Sequence, residues 1–387
     1  MGIFPQEILD YILGFIPNDE NTLKQCGLSS RCLLKTSRKH RFREVTIKGT
    51  HRRDAHAAIS SFCELTQYQP FATCIHRLKL DMLDLKDEHP SLLLPAPILA
   101  LTLGDLCRVT AHLPQLERLS IRCADILFDA LEDPPPSSSF TLRSLTLQRC
   151  CNIYRYIPPL LRLFRPHELE LLQNIVDPID EDEDEDDIIL LEEETDDFPL
   201  QTLDLHGELD TSSVEALASI ISRASVHSIA VAGGILTAGY FFGLDMLIHA
   251  ATSLNTLRVG TFMSYGMQRT GSAWKSILSS TNLITLEIKV ADCPELGEWN
   301  PTVDLFRAAP KSIENIHINV LLYPSSTLEI PIDTFRQTFQ RLKKLHSVQF
   351  IWRDNCFRTG QSIEETIKNI NKALHDLKPG LIQHEIE

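Results

Sequence analysis

The sequence predicts an α/β solenoid: a short helical head, then strand–helix units whose strands form one parallel sheet. Three observations carry this. A spacing of apolar residue, two residues, apolar, one residue, apolar returns ten times along the chain. Stretches with helical periodicity separate the copies. The first forty-seven residues carry that spacing only at their end and read as three short helices. Units that bury an apolar row against their neighbours mark a repeat architecture.

The head starts at Phe4-Pro5-Gln6-Glu7-Ile8-Leu9. Pro5 falls in the first helical turn, where its missing N–H costs nothing. Ile8, Ile12, Phe15 and Ile16 share one face at helical spacing. Pro17 ends this helix, and Asn18-Asp19 supplies a turn and a cap. Two more helices are expected over 22–29 and 30–41. A unit of about forty residues holds little core of its own, so it must lean on the chain behind it, on a partner, or on both.

The repeated spacing appears as Phe42/Val45/Ile47, Ile75/Leu78/Leu80, Leu116/Leu119/Ile121 and Leu142/Leu145/Leu147. It returns as Leu200/Leu203/Leu205, Val226/Ile229/Val231, Leu254/Leu257/Val259, Leu283/Leu286/Ile288, Ile313/Ile316/Ile318 and Leu345/Val348/Phe350. A weaker copy, Leu169/Leu171, lies between. Successive starts in the second half are 26, 28, 29, 30 and 32 residues apart. Helices are expected between the copies at 54–68, 98–112, 153–164, 211–223, 237–253, 272–280, 302–309 and 331–344. The apolar series Ile363, Ile367, Ile370, Leu374, Leu377 predicts a capping helix over about 362–378, stopped by Pro379.

Two stretches interrupt the array. Asp133-Pro134-Pro135-Pro136-Ser137-Ser138-Ser139 is a loop by composition. Residues 177–197 hold 14 Asp/Glu and no Lys/Arg, a self-repelling block expected to be disordered. Of the net charge of −15, that block supplies 14, so the rest is near neutral. Met1 to Arg53 leans the other way, with ten Lys/Arg against five Asp/Glu.

These units resemble leucine-rich repeats, with a parallel sheet on the concave side. The Asn/Cys that such repeats carry at the ninth position is met only by Cys150. The expected domains are therefore 1–47 and 48–387. Within each strand the third and fifth positions point away from the apolar row. Arg77, Lys79, Arg118, Asp204, Arg258, Glu287, His317 and Gln349 stand at such positions and are candidate contacts for a protein substrate. Among the eighteen such positions in the nine copies from Ile75 onward, Ala230 is the one apolar residue.

Composition excludes several classes. No apolar run reaches the ~18 residues that span a bilayer, and the N-terminus shows no secretory pattern. Ten cysteines without any Cys-x-x-Cys pair suggest reduced thiols in a cytoplasmic or nuclear protein. The strongest charge block would repel nucleic acid. No phosphate loop, dinucleotide fingerprint, zinc-protease pair or nucleophile signature occurs. A non-enzymatic protein without metal or cofactor is expected.

The head, Phe4 to Ile8, Tyr11 to Pro17, Thr22 to Arg31 and Ser37 to Phe42, resembles an F-box, and is especially similar to those abundant in fungi. Leu33 stands where that family usually has tryptophan. The resemblance implies a substrate-recognition subunit of an SCF-type ubiquitin ligase, docked on a Skp-type adaptor and through it on a cullin. Adaptor contacts would be Phe4, Pro5, Ile8, Ile12, Leu13, Leu23, Leu28 and Arg31, and the repeat domain would hold the substrate. The alternative is a leucine-rich-repeat interaction scaffold not coupled to ubiquitination.

Overall fold

A computed structural model describes residues 5–16, 19–49, 55–67, 70–82, 99–127, 140–151, 153–172, 198–207, 211–232, 234–235, 238–260, 262–263, 274–275, 278, 282–292, 300–322, 331–354, 360–377 and 380–386. Phe4, the proline-serine loop at 133–139 and the acidic block at 177–197 lie outside them. The chain forms two compact units, residues 1–167 with 172–190 and residues 168–171 with 191–387. Among the described residues both are α/β, with parallel strands linked by crossover segments. The first unit thus contains the helical head together with the first repeats.

The first unit opens with α1 (Gln6–Gly14), α2 (Glu20–Ser29) and α3 (Arg31–Arg41). Asp19 caps α2 by accepting the Thr22 N–H at 3.0 Å, and the Thr22 hydroxyl donates to its other oxygen at 2.6 Å. The hydroxyl bond, then the N–H bond, holds the Asp19 carboxyl below its ordinary value. Ser30 caps α3 by accepting from the Cys32 N–H at 3.2 Å. Both α1 and α2 pack on α3. Ser37, small and buried, lets α2 come close at Gly27, where an added Cβ would stand 3.4 Å from Leu34 and Ser37. Phe42 stacks on Phe71 with centroids 4.9 Å apart, which ties the head to the repeats behind it.

Four strands follow in the order β1 (Glu44–Lys48), β2 (Arg77–Asp81), β4 (Arg118–Arg122) and β6 (Ser144–Gln148). Between them lie α4 (Ala55–Gln67), a 3-10 turn (Pro70–Cys74), β3 (Leu99–Thr102), α5 (Leu103–Ala111) and β5 (Ala124–Leu127), and α6 (Ile153–Phe164) comes after. The helix expected over 98–112 thus begins late. Leu99 to Thr102 pair instead with β5. Thr102 and Asp105 form a reciprocal capping box that starts the helix at Leu103.

The second unit carries β7 (Glu168–Leu172), β8 (Thr202–His206), β9 (Ser228–Ala232), β11 (Thr256–Val259), β13 (Thr285–Asp292), β14 (Asn315–Leu322), β15 (Ser347–Asp354) and β16 (Ile382–Ile386), in that order. A two-strand pair joins β10 (Gly234–Ile235) to β12 (Phe262–Met263). The helices are α7 (Thr211–Ser222), α8 (Ala238–Ala250), α9 (Asn300–Ala308), α10 (Ile332–Arg341) and α11 (Gly360–Ala373). Of the helix expected over 272–280, Trp274, Lys275 and Leu278 are described, and Trp274 and Leu278 are buried.

The apolar spacing forms the core in both units. Leu78, Leu80, Leu119, Ile121, Leu145 and Leu147 line the buried side of the first sheet. The weaker copy, Leu169 and Leu171, is buried as well. The backbone repeats with the same register. At the entry of many strands two successive N–H groups donate to one carbonyl of the preceding repeat. Glu117 and Arg118 donate to His76 O, Asn255 and Thr256 to His227 O, and His346 and Ser347 to Glu314 O.

The residue just past the strand repeats too. Cys123 (φ 53°), Arg149 (φ 51°) and Gly207 (φ 122°) each follow their strand by one place and turn the chain through the left-handed region. A side chain there costs about 1–2 kcal/mol, accepted at two of these three turns. Cys150, one residue on, donates its thiol towards Ile121 O at 3.6 Å and Gln148 O at 3.5 Å. The thiol thus ties the turn after β6 to backbone carbonyls of this strand and the preceding one. Burial pushes its thiol up to about 12.

The helix expected as an end cap is followed by a further strand, β16, which forms the sheet edge beside β15. Its middle residue, His384, pairs in register with buried Phe350 and stacks on that ring at 5.4 Å. Trp352 Nε1–H donates to His384 Nδ1 at 3.3 Å, and His384 Nε2 lies 3.1 Å from Asn371 Oδ1. Nδ1 accepts, so Nε2 carries the proton and the ring is neutral. Burial lowers the pKa of His384 accordingly.

Candidate functional site

The head carries a stripe of exposed apolar side chains that no described residue of its own unit covers. Ile8, Tyr11, Ile12 and Phe15 recur at helical spacing on α1 and are all exposed, Tyr11 by 68% and Phe15 by 69%. The rings of Tyr11 and Phe15 meet edge to face with centroids 4.8 Å apart. Leu28 on α2 is exposed as well. Large apolar side chains grouped on one helix face mark interaction sites more often than isolated ones do.

The structure divides the residues expected to meet an adaptor. Pro5, Ile8, Ile12, Leu28 and Arg31 are open to solvent. Leu13 and Leu23 are not: they are 2% and 3% exposed and form the inside of the three-helix head. Their expected role is corrected on this ground, since a buried side chain holds the helices together and has no face to offer. Tyr11 and Phe15 are missing from the expected contacts, although they lie three and seven residues after Ile8 on its stripe.

The head also presents basic side chains. Lys24, Arg31, Lys35 and Arg38 are exposed on α2 and α3. Part of the charge serves the helix itself, because Arg38, Lys39, His40 and Arg41 fill the last turn of α3, where cations oppose the helix dipole. Arg41 also pairs with Glu20 at 3.0 Å and lies 5.5 Å from the centre of the Phe42 ring.

The outward sheet positions form registered rows. In the second unit, Asp204, Ala230, Arg258, Glu287, His317 and Gln349 lie side by side across six neighbouring strands. The expected contacts of that unit thus share one row. Several are already engaged: Arg258 pairs with Glu287 at 2.9 Å, Asn319 donates to Glu287 at 3.1 Å, and Gln349 donates to Glu385 at 2.8 Å. In the first unit Arg77 stands beside Arg118, and Lys79 beside Ser120. Glu44 sits 3.7 Å from Arg77 and also pairs with Lys79. Hydrogen bonding by Lys79 holds the Glu44 carboxyl below its ordinary value.

No family model matches the chain, and no curated protein matches it.

Other polar groupings have simpler roles. Asp105 is buried, closes the capping box of α5, and is met by His56 Nδ1 at 2.9 Å and Arg108 Nη2 at 2.7 Å. This arrangement starts a helix and neutralises a buried carboxylate. Glu170, Asp204 and His206 each offer one donor atom within 4.8 Å of the others, a set that a divalent cation accepts. The pair His206 Nε2 and Asp204 Oδ1, at 2.9 Å, already accounts for part of that closeness. Burial raises the thiol pKa of Cys63, Cys123 and Cys150, which makes them poor nucleophiles at neutral pH. Among the described residues no helix is long and apolar enough to cross a membrane.

Proposed function

We propose that this chain is a substrate-recognition subunit of an SCF-type ubiquitin ligase, with an F-box head and a leucine-rich-repeat-like solenoid. The head docks on a Skp-type adaptor, and the repeat domain holds a protein substrate on its outward sheet rows. The observation that carries the reading is the open stripe Ile8, Tyr11, Ile12 and Phe15 on a helix that buries Leu13 on its other side. A stable partner covers about 800 Å² on each side, an area that this stripe with Pro5, Leu28 and the basic rim is suited to supply. The adaptors of this class are acidic, so Lys24, Arg31, Lys35 and Arg38 raise the encounter rate. Ubiquitin transfer is then done by other subunits, and this chain contributes proximity.

Leu33, half-buried where the F-box family usually carries tryptophan, favours a second reading: a repeat scaffold without ligase coupling. Titration of the purified full chain with a purified Skp-type adaptor separates the two. Saturable binding is expected, lost in the double variant Ile8→Asp with Phe15→Asp while its thermal melt is unchanged. If the unaltered chain does not bind, or the variant binds as well, the scaffold reading stands instead.

A further inference from the structure

We propose that the outward sheet face of the first unit binds an extended segment of a partner protein rich in Asp and Glu. In a chain of net charge −15, this face is basic. Lys48, Arg77, Lys79, Arg118 and Arg122 project from β1, β2 and β4, and two carboxylates, Glu44 and Asp81, project among them. Glu44 answers Arg77 and Lys79, and Asp81 lies 3.9 Å from Arg122. Among the described residues Arg118 and Lys48 form no ion pair within 4 Å, although Glu117 acts on Arg118 electrostatically and Asp81 stands beside Lys48 across β1–β2. Arg118 also stands directly beside Arg77 across the pair β2–β4, and like charges side by side repel. A carboxylate placed between the two relieves that repulsion.

The spacing favours a peptide with many carboxylates over a single anion. The cations stand two positions apart on β2 (Arg77, Lys79) and four apart on β4 (Arg118, Arg122), so they lie about 6.6–6.8 Å or twice that apart. An extended peptide presents every second side chain to one side with the same step. Glu44 against Arg77 and Lys79 already shows the pairing that such a peptide repeats. Nucleic acid fits less well. The registered positions of this face carry no aromatic side chain on which a base could stack, and its two carboxylates repel phosphates. An acidic segment is thus the class of substrate for the surface proposed above to hold one, and it rests on that proposal. Its test contains no adaptor, so it fails separately from the docking of the head.

The test is fluorescence anisotropy of a labelled peptide of alternating glutamate and serine, titrated with the full chain. The expected result is saturable binding that weakens as salt is raised. Arg118→Glu is expected to weaken it at least about tenfold, because a cation becomes a repelling anion beside each carboxylate. Lys311→Glu, an exposed lysine in the second unit, serves as control and leaves binding unchanged. Absence of binding overturns the proposal, as does equal weakening by Lys311→Glu. Binding only of a phosphoserine version, or only of a single-stranded oligonucleotide, assigns the face to another ligand and also overturns it. Peptide binding seen only after deletion of residues 177–197 gives the face to this chain's own acidic block, and overturns the proposal too.

Discussion

Phe15 and Leu23 belong to the same head, yet their truncation has opposite expected effects. Phe15 is 69% exposed and Leu23 is 3% exposed. Fully burying an apolar side chain of this size stabilises by about 1.5–3 kcal/mol. With 69% of Phe15 still open, adaptor docking gains about 1–2 kcal/mol from it, so Phe15→Ala should weaken binding about 5–30-fold. In the free chain the same change removes little buried area, and stability should move by no more than about 0.5 kcal/mol. Leu23→Ala empties a packed site and should destabilise the head by about 2–5 kcal/mol. Calorimetric titration with a Skp-type adaptor, paired with thermal melts of each variant, reads both effects. Binding of Phe15→Ala within about twofold of the unaltered chain would refute the docking role of this side chain. A melt of Phe15→Ala as early as that of Leu23→Ala would refute it equally. Tyr11→Ala touches the same ring, so its effect is not additive with that of Phe15→Ala.

Two further outcomes follow from the lowered and raised pKa values. His384 is neutral when folded and has a pKa below its unfolded value of about 6.5. Its contribution to stability is therefore complete above that unfolded value, and is lost as pH falls through the window down to the folded value, where the unfolded chain binds more protons. Urea midpoints followed by tryptophan fluorescence should drop between pH of about 7.5 and about 5.5, and His384→Leu should flatten that slope; an unchanged slope in the variant counts against the assignment. Native alkylation with iodoacetamide, read by mass spectrometry, should label exposed Cys32 and spare Cys150, whose thiol is buried and pushed up to about 12. Labelling of Cys150 before unfolding would contradict the role given to it in the turn.

Much of the fold is legible because the repeat writes one rule many times. Leu78, Leu119, Leu145 and their equivalents recur at one spacing, and a shift by a single residue would put all of them in water. Start signals are readable where side chain meets backbone locally, as at Asp19 and Ser30. The helix expected over 98–112 starts later than its periodicity suggests because Leu99 and Leu101 suit either a helix face or a strand. Only pairing with Ala124 and Ile126 on a distant segment chose the strand. β16 is hidden in the sequence because His384 occupies a place that the other repeats fill with an apolar side chain.

By itself the sequence determined the strand–helix alternation, the parallel pairing that such alternation requires, and the polarity of the outward rows. Periodicity is local and survives without coordinates. Tertiary structure alone decided which apolar residues of the head remain available. Leu13 and Ile12 are neighbours in sequence and equally apolar, yet one is buried between helices and the other open to solvent. Exposure depends on where α3 lies against α1, a relation between segments that no spacing along one helix contains. The same holds for Arg77 and Arg118: each reads as a solvated arginine in sequence, and only register across β2 and β4 sets them side by side.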